Sequence, residues 1–264
     1  MEKDEIKVAV LRIEGTNCEE ETVNAFKELG VFCEAVHLKQ FYSDLIRDYD
    51  QRSIADYNCL VFPGGFSAGD YVRAGAIFSA RLISVLSEDL GKFIAEGYPV
   101  LGICNGFQIL AELGALPGFD EDKPVGRQEM ALGINDSNRF ECRPTLLKHE
   151  NRGKCVFTKK LEKQVVAFPV AHAEGKVIFP LGKEEEYVNQ LIENDQVVFR
   201  YVDEEGNYTG YPWNPNGSIY NIAGICNIKG NVFGLMPHPE RTLCYAGGDG
   251  RVIFESIIDY LLKF

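Results

Sequence analysis

The sequence predicts an α/β fold, a mostly parallel central sheet flanked by helices, and two observations carry that prediction. Short, nearly continuous apolar runs recur at residues 6–13, 60–62, 100–103 and 232–236, as strands buried on both faces require. Helical stretches separate the earlier runs, and such alternation yields parallel strands joined by right-handed crossovers.

Residues 6–13 read as the first strand. A helix follows from about Cys18 to Leu29, with glutamates in its first turn and Gly30 placed as a C-terminal cap. Residues 31–38 form a second strand, 60–62 belong to a third and 100–103 to a fourth. The fourth stops abruptly at Cys104, set between Gly102 and Gly106, and helical spacing resumes at Phe107, Ile109, Leu110 and Leu113. Residues 115–137, rich in Gly, Pro and charge, read as a long loop. Short antiparallel strands are expected at 140–147, 155–157, 165–170, 177–179, 196–202 and 219–228, a β-rich excursion over about 139–228 without helices of its own. Residues 232–236 return to the sheet and 250–262 close the chain as an amphipathic helix, so 1–264 is read as a single domain.

Composition narrows the function. A net charge of −12 disfavours nucleic acid and anionic membranes as partners. The eight cysteines include no C-x-x-C pair, which leaves zinc and thioredoxin-like chemistry without support, so no metal ligand is assigned. The charged N-terminal residues do not resemble a signal peptide, and no apolar run approaches the ~20 residues of a membrane span. The expectation is a cytoplasmic protein with reduced thiols.

Three segments carry chemistry. In Gly102-Ile103-Cys104-Asn105-Gly106, strand, sharp turn and helix make a nucleophile elbow with Cys in place of Ser. The helix N-terminus beneath the sulfur offers free amides and partial positive charge, which favour a thiolate and bind an oxyanion. His238-Pro239-Glu240 follows a buried strand and supplies a base with a carboxylate to orient it. Pro63-Gly64-Gly65 ends another strand in a turn whose bare amides suit an oxyanion hole, although the same turn serves a purely structural end. Of the remaining histidines, His37 reads as a rim residue and His149 as part of a solvated charged run. His172 is the rival to His238 as base. Arg241 reads as an ion-pair partner, and Asn138, Arg139 and Phe140 as structural.

In this order the three segments resemble the class I, triad-type glutamine amidotransferases. Pro63-Gly64-Gly65-Phe66-Ser67-Ala68-Gly69-Asp70, Cys104-Asn105-Gly106-Phe107-Gln108, Asn214-Pro215-Asn216-Gly217-Ser218 and Met236-Pro237-His238-Pro239-Glu240-Arg241 narrow the match. They are similar to the glutaminase subunits of phosphoribosylformylglycinamidine synthase, and the likeness spans nearly the whole chain. It implies a flavodoxin-like sheet and a Cys104–His238–Glu240 triad that releases ammonia from glutamine. It also implies oxyanion contacts from the amides of Gly65 and Asn105, and substrate contact or simple packing for Gln108. The chain has no phosphate-binding G-x-x-x-x-G-K-[ST] motif, so no cofactor is expected on it. ATP and Mg are expected on a large synthetase subunit, joined by a small accessory subunit. The residue chemistry alone leaves open a glutaminase serving another synthetase, a cysteine-elbow protease or chaperone, and an idle scaffold subunit.

Overall fold

The computed structural model describes residues 1–42, 45–243 and 248–264. Its elements run β1 (Lys7–Arg12), α1 (Glu19–Glu28), β2 (Phe32–His37), β3 (Cys59–Phe62), α2 (Ala76–Ala95), β4 (Val100–Ile103), α3 (Asn105–Glu112) and β5 (Ala131–Ile134). They continue as β6 (Glu141–His149), β7 (Val165–His172), β8 (Glu174–Ile178), α4 (Glu184–Glu193), β9 (Val197–Val202), β10 (Ile222–Cys226), β11 (Val232–Leu235) and α5 (Arg251–Leu261). A nine-stranded sheet in the order β2-β1-β3-β4-β11-β10-β9-β6-β7 organises the molecule, with β5 and β8 paired separately.

From β2 to β11 neighbouring strands are parallel, and from β11 outward each pair is antiparallel. The strands β3, β4 and β11 are buried at every position, as their apolar runs predict. The flanking helices pair, α1 with α5 and α2 with α3. Phe26 meets Phe254 edge to face at 5.1 Å across the first pair. Gly30 ends α1 at φ +72°, a left-handed turn that lets the chain reverse into β2.

The expected β-rich excursion is part of the central sheet. Strands β6, β7, β9 and β10 extend it beyond β11, because the edge of β11 would otherwise leave its backbone groups unpaired. Four local readings are corrected. Residues 131–134, read as loop, form β5 against β8. Residues 155–157 lie at a 3-10 turn, Val156–Thr158, since the Asn151 side chain captures the amides of Gly153 and Cys155 and bends the chain. The excursion contains the helix α4, whose pattern is faint because it buries only Val188 and Leu191. Residues 219–221 form a kinked 3-10 turn before β10, with Tyr220 and Asn221 both at φ +54°.

One close approach sets the geometry at the centre. A Cβ on Gly106, in the first turn of α3, would overlap the Phe62 carbonyl at the end of β3. On Gly102 a Cβ would sit 2.6 Å from the Gly106 carbonyl oxygen. The helix therefore lies directly against two strand ends. Gly106→Ala is expected to cost more than about 3 kcal/mol, the upper range for overpacking, because the obstacle is backbone, the Phe62 carbonyl. Chemical denaturation of the purified variant checks this, and a loss below 1 kcal/mol would contradict the contact.

Candidate active site

The three sequence segments converge at the carboxyl ends of adjacent strands. Phe62 of β3 is in register with Gly102 of β4, and Ile103 of β4 with Leu235 of β11. The residues that follow, Gly64-Gly65, Cys104 and His238-Pro239-Glu240, therefore emerge side by side, where open α/β sheets place their ligands. The far edge strand also returns here. The His238 amide donates to the Pro169 carbonyl at 2.8 Å, and the Cys104 thiol lies 3.6 Å from the Ala171 carbonyl.

Cys104 sits at φ +51°, ψ −106°, outside the helix whose N-cap it forms. A non-glycine residue at positive φ stores strain of about 1–3 kcal/mol, held here by a 2.8 Å bond from its amide to the Leu235 carbonyl. The thiol is buried, and the side chain is 5% exposed. Among the described residues, the amides of Gly65 and Asn105 have no backbone or side-chain acceptor. Gly65 is held at φ +135° beside the 15–17 turn, where a Cβ would meet the Asn17 side-chain oxygen at 2.5 Å.

His238 and Glu240 are both buried, and the imidazole Nδ1 meets Glu240 Oε1 at 2.5 Å. A carboxylate only accepts, so Nδ1 holds the proton. The other ring nitrogen, Nε2, has no partner within hydrogen-bonding limits and remains available to the Cys104 thiol. Burial opposes a charge on this ring, but the charge of Glu240 and then that of Cys104 outweigh it and raise the His238 pKa to about 10. At neutral pH the imidazole holds its second proton.

His172 is placed beside this site and tuned the other way. It is buried at the end of β7, with Nδ1 3.1 Å from Asn135 Oδ1 and Nε2 unpartnered. Burial first, then the charge of His238, pushes its pKa down to about 4. It stays neutral at pH 7 and is too weak a base to take a thiol proton. The Asn214–Ser218 motif supports this corner: Asn216 Nδ2 and Ser218 Oγ both donate to the Gly175 carbonyl, at 2.8 and 3.2 Å. His37 caps a 3-10 turn by accepting from the Lys39 amide at 3.1 Å. His149, expected on a solvated face, is instead half-buried, 3.0 Å from Thr158 Oγ1 and tilted against Phe199.

Gln108 is buried and fully engaged. Its Nε2 donates to the Glu174 carbonyl at 2.5 Å, and its Oε1 accepts from Asn105 Nδ2 at 2.9 Å. Asn105 is the hub: its Oδ1 accepts from the Ser67 amide at 3.3 Å and its Nδ2 also reaches Asp70 at 3.4 Å. This ties the elbow to a loop in which Ala68, Gly69, Asp70 and Val72 all have positive φ. Asp70 is pushed up to about 6 by burial and by the charge of Glu174.

One residue at the site carries no motif and escapes sequence reading. Cys18, the N-cap of α1, lies beside the imidazole: a Cβ on Gly64 would be 3.2 Å from Cys18 Sγ and 3.4 Å from His238 Nδ1. Arg241 donates to Cys18 Sγ at 3.2 Å and pairs with Glu21 at 3.0 Å, the ion-pair role its position suggests.

Residues 5–246 match the CobB/CobQ-like glutamine amidotransferase domain. The chain belongs to this family. This amidotransferase is 69% identical over 271 residues to the phosphoribosylformylglycinamidine synthase subunit PurQ of Archaeoglobus fulgidus, each chain being covered in full (100%). To the subunit of the same name from Picrophilus torridus it is 50% identical over 242 residues, covering 90% of this chain and 88% of that one. Among solved structures, the PurLQS structure from Thermotoga maritima contains a chain 34% identical with a TM-score of 0.72, covering 97% of this amidotransferase and 99% of its counterpart. The glutaminase domain of Trypanosoma brucei CTPS with bound acivicin shares the fold, at 11% identity, a TM-score of 0.54, and coverage of 97% and 94%.

Two predictions follow from this geometry. Cys104→Ala is expected to abolish glutamine hydrolysis with the fold intact. His238→Ala should lower turnover by at least ~100-fold, Glu240→Gln by less, and His172→Ala by less than His238→Ala; steady-state ammonia release measures all four. The second concerns acid. Below its ordinary value of 6.5 an unfolded His172 binds a proton that the folded residue refuses until about pH 4. Stability should thus fall as pH drops through that window, by up to about 1.4 kcal/mol per unit from this group. His172→Gln should flatten that part of the stability curve, read by denaturant titration at pH 7, 6 and 5.

Proposed function

We propose that this chain is the glutaminase subunit of phosphoribosylformylglycinamidine synthase, supplying ammonia to the amidine-forming step of purine biosynthesis. The observation that carries this reading is the 69% identity to a PurQ subunit along the whole chain. The placement of Cys104, His238 and Glu240 at three adjacent strand ends supports the chemistry.

In this reading the proton given up by Cys104 already resides on His238, and the sulfur attacks the carboxamide carbon of glutamine as a thiolate. The carbonyl oxygen becomes an oxyanion facing the free amides of Gly65 and Asn105, which stabilise charge only as it develops. The imidazolium then gives its proton to the departing nitrogen. Ammonia leaves and a glutamyl thioester remains on Cys104. Water attacks the thioester, His238 takes its proton and returns one to the sulfur, and glutamate is released. Glu240 holds Nδ1–H throughout, fixing the tautomer and balancing the imidazolium. Gln108 acts by holding Asn105 and β8 in place, and its side chain is already engaged there.

Ammonia released without an acceptor wastes glutamine, and ATP with Mg2+ belongs in this reading to the synthetase subunit. The PurLQS assembly named for the Thermotoga maritima structure supports a large synthetase partner and a small accessory one. No helix among the described residues is long and apolar enough to cross a membrane, and we place the protein in the cytoplasm with its partners. The strained 67–72 loop, joined to the elbow through Asn105, is the element that docking adjusts. Glutamine hydrolysis by the isolated chain should therefore be slow and should rise about 5–150-fold, the usual range of coupling between sites, when both partner subunits and their nucleotide are added. Full activity in the isolated chain, unchanged by partners, would contradict the coupling; absence of glutamine turnover in every mixture would contradict the function.

A further inference from the structure

A second face of the catalytic imidazole has its own donor set. Cys18, His238 and Glu240 are buried, and one ligand atom of each lies within 4.8 Å of the others. Arg241, which donates to Cys18 Sγ, also lies 3.9 Å from Glu240 Oε1, the atom bound to His238 Nδ1. Glu240 Oε2 is buried with no hydrogen-bond partner, an acceptor without a donor in a dry interior.

We propose that these three side chains form an inhibitory binding site for a thiophilic divalent cation, Zn2+ or one like it, behind the catalytic histidine. Thiolate, imidazole and carboxylate are a donor set that suits zinc, and three protein ligands leave a fourth position for water. Zinc–ligand bonds of about 2.0–2.3 Å set donor separations near 3.5 Å, so the cation enters by opening the 2.5 Å bond between His238 Nδ1 and Glu240 and drawing in Cys18 Sγ, which lies within 4.8 Å. The proton balance is explicit. The cation replaces the Nδ1 proton of His238 and the thiol proton of Cys18, and both go to solvent. Carboxylate, thiolate and dication then sum to zero, so no uncompensated charge is buried. Burial and then the charge of Glu240 push the Cys18 thiol up to about 12; Arg241, paired with Glu21 and donating to the sulfur, opposes that rise, and the dication supplies the charge the thiolate needs.

With a cation on Nδ1 the ring cannot become the imidazolium that the leaving nitrogen needs. The inhibition rests on the glutaminase reading above, whereas the binding does not. Calorimetric titration of the reduced full-length chain with Zn2+ should show a tight equivalent in the wild type and in Cys104→Ala. Both Cys18→Ala and the isosteric Cys18→Ser should weaken that equivalent by at least about 10–100-fold, the penalty already found for outer-shell partners. Cd2+ should give a thiolate charge-transfer absorption that survives in Cys104→Ala and is lost in the Cys18 variants. In glutamine assays Zn2+ should inhibit the wild type, and the Cys18 variants should need correspondingly more. The proposal is overturned if the tight equivalent persists in both Cys18 variants, or disappears in Cys104→Ala while the Cys18 variants keep it. The latter places the cation on the nucleophile instead.

Discussion

The first turn of α3 lies so close to the end of β3 that no side chain fits between them. Gly106 against the Phe62 carbonyl is the contact from which the rest of the site follows. It fixes the helix over the strand ends and forces Cys104 into its left-handed turn. The same proximity allows the Asn105 side chain to reach the Ser67 amide. Geometry that stores strain at Cys104 is thus stabilised by packing several residues away, as strained turns require.

Electrostatic asymmetry does the next part. Two buried histidines lie near one thiol, and their surroundings drive them apart: His238 up to about 10, His172 down to about 4. The difference traces to one neighbour. Glu240 is 2.5 Å from His238, whereas His172 has a neutral amide on Nδ1 and the positive His238 nearby. Burial alone would leave both neutral. A single carboxylate two residues along a proline-locked loop thereby selects which ring carries the proton.

Much of this was legible in the sequence because it rests on local chemistry. Buried parallel strands are written as apolar runs, and the elbow as glycines flanking a cysteine. The Pro239 ring, locking φ between His238 and Glu240, marks the loop. What the sequence hid depends on tertiary contact. The outer strands β6, β7, β9 and β10 looked like an excursion, since short alternating runs do not reveal which sheet they join. The helix α4 was invisible for want of a wide apolar stripe, and His149 looked solvated because its partners Thr158 and Phe199 are distant or unmarked. Cys18 has no motif at all; only the return of β11 to the sheet brings the His238 loop against it.

The strand β11 occupies the middle of the sheet, between β4 and β10, yet it is among the last segments of the chain. A ribosome-bound chain ending before residue 232 therefore has two sheet fragments and no seam to join them. Until β11 emerges, β4 and β10 each present an unpaired edge to the surroundings. Such late, long-range pairing slows folding and lengthens the time that sticky edges are exposed during synthesis. Cys104 is made early, but it has neither a finished sheet beneath it nor His238 beside it until translation is nearly complete. An unfinished chain therefore lacks the assembled site.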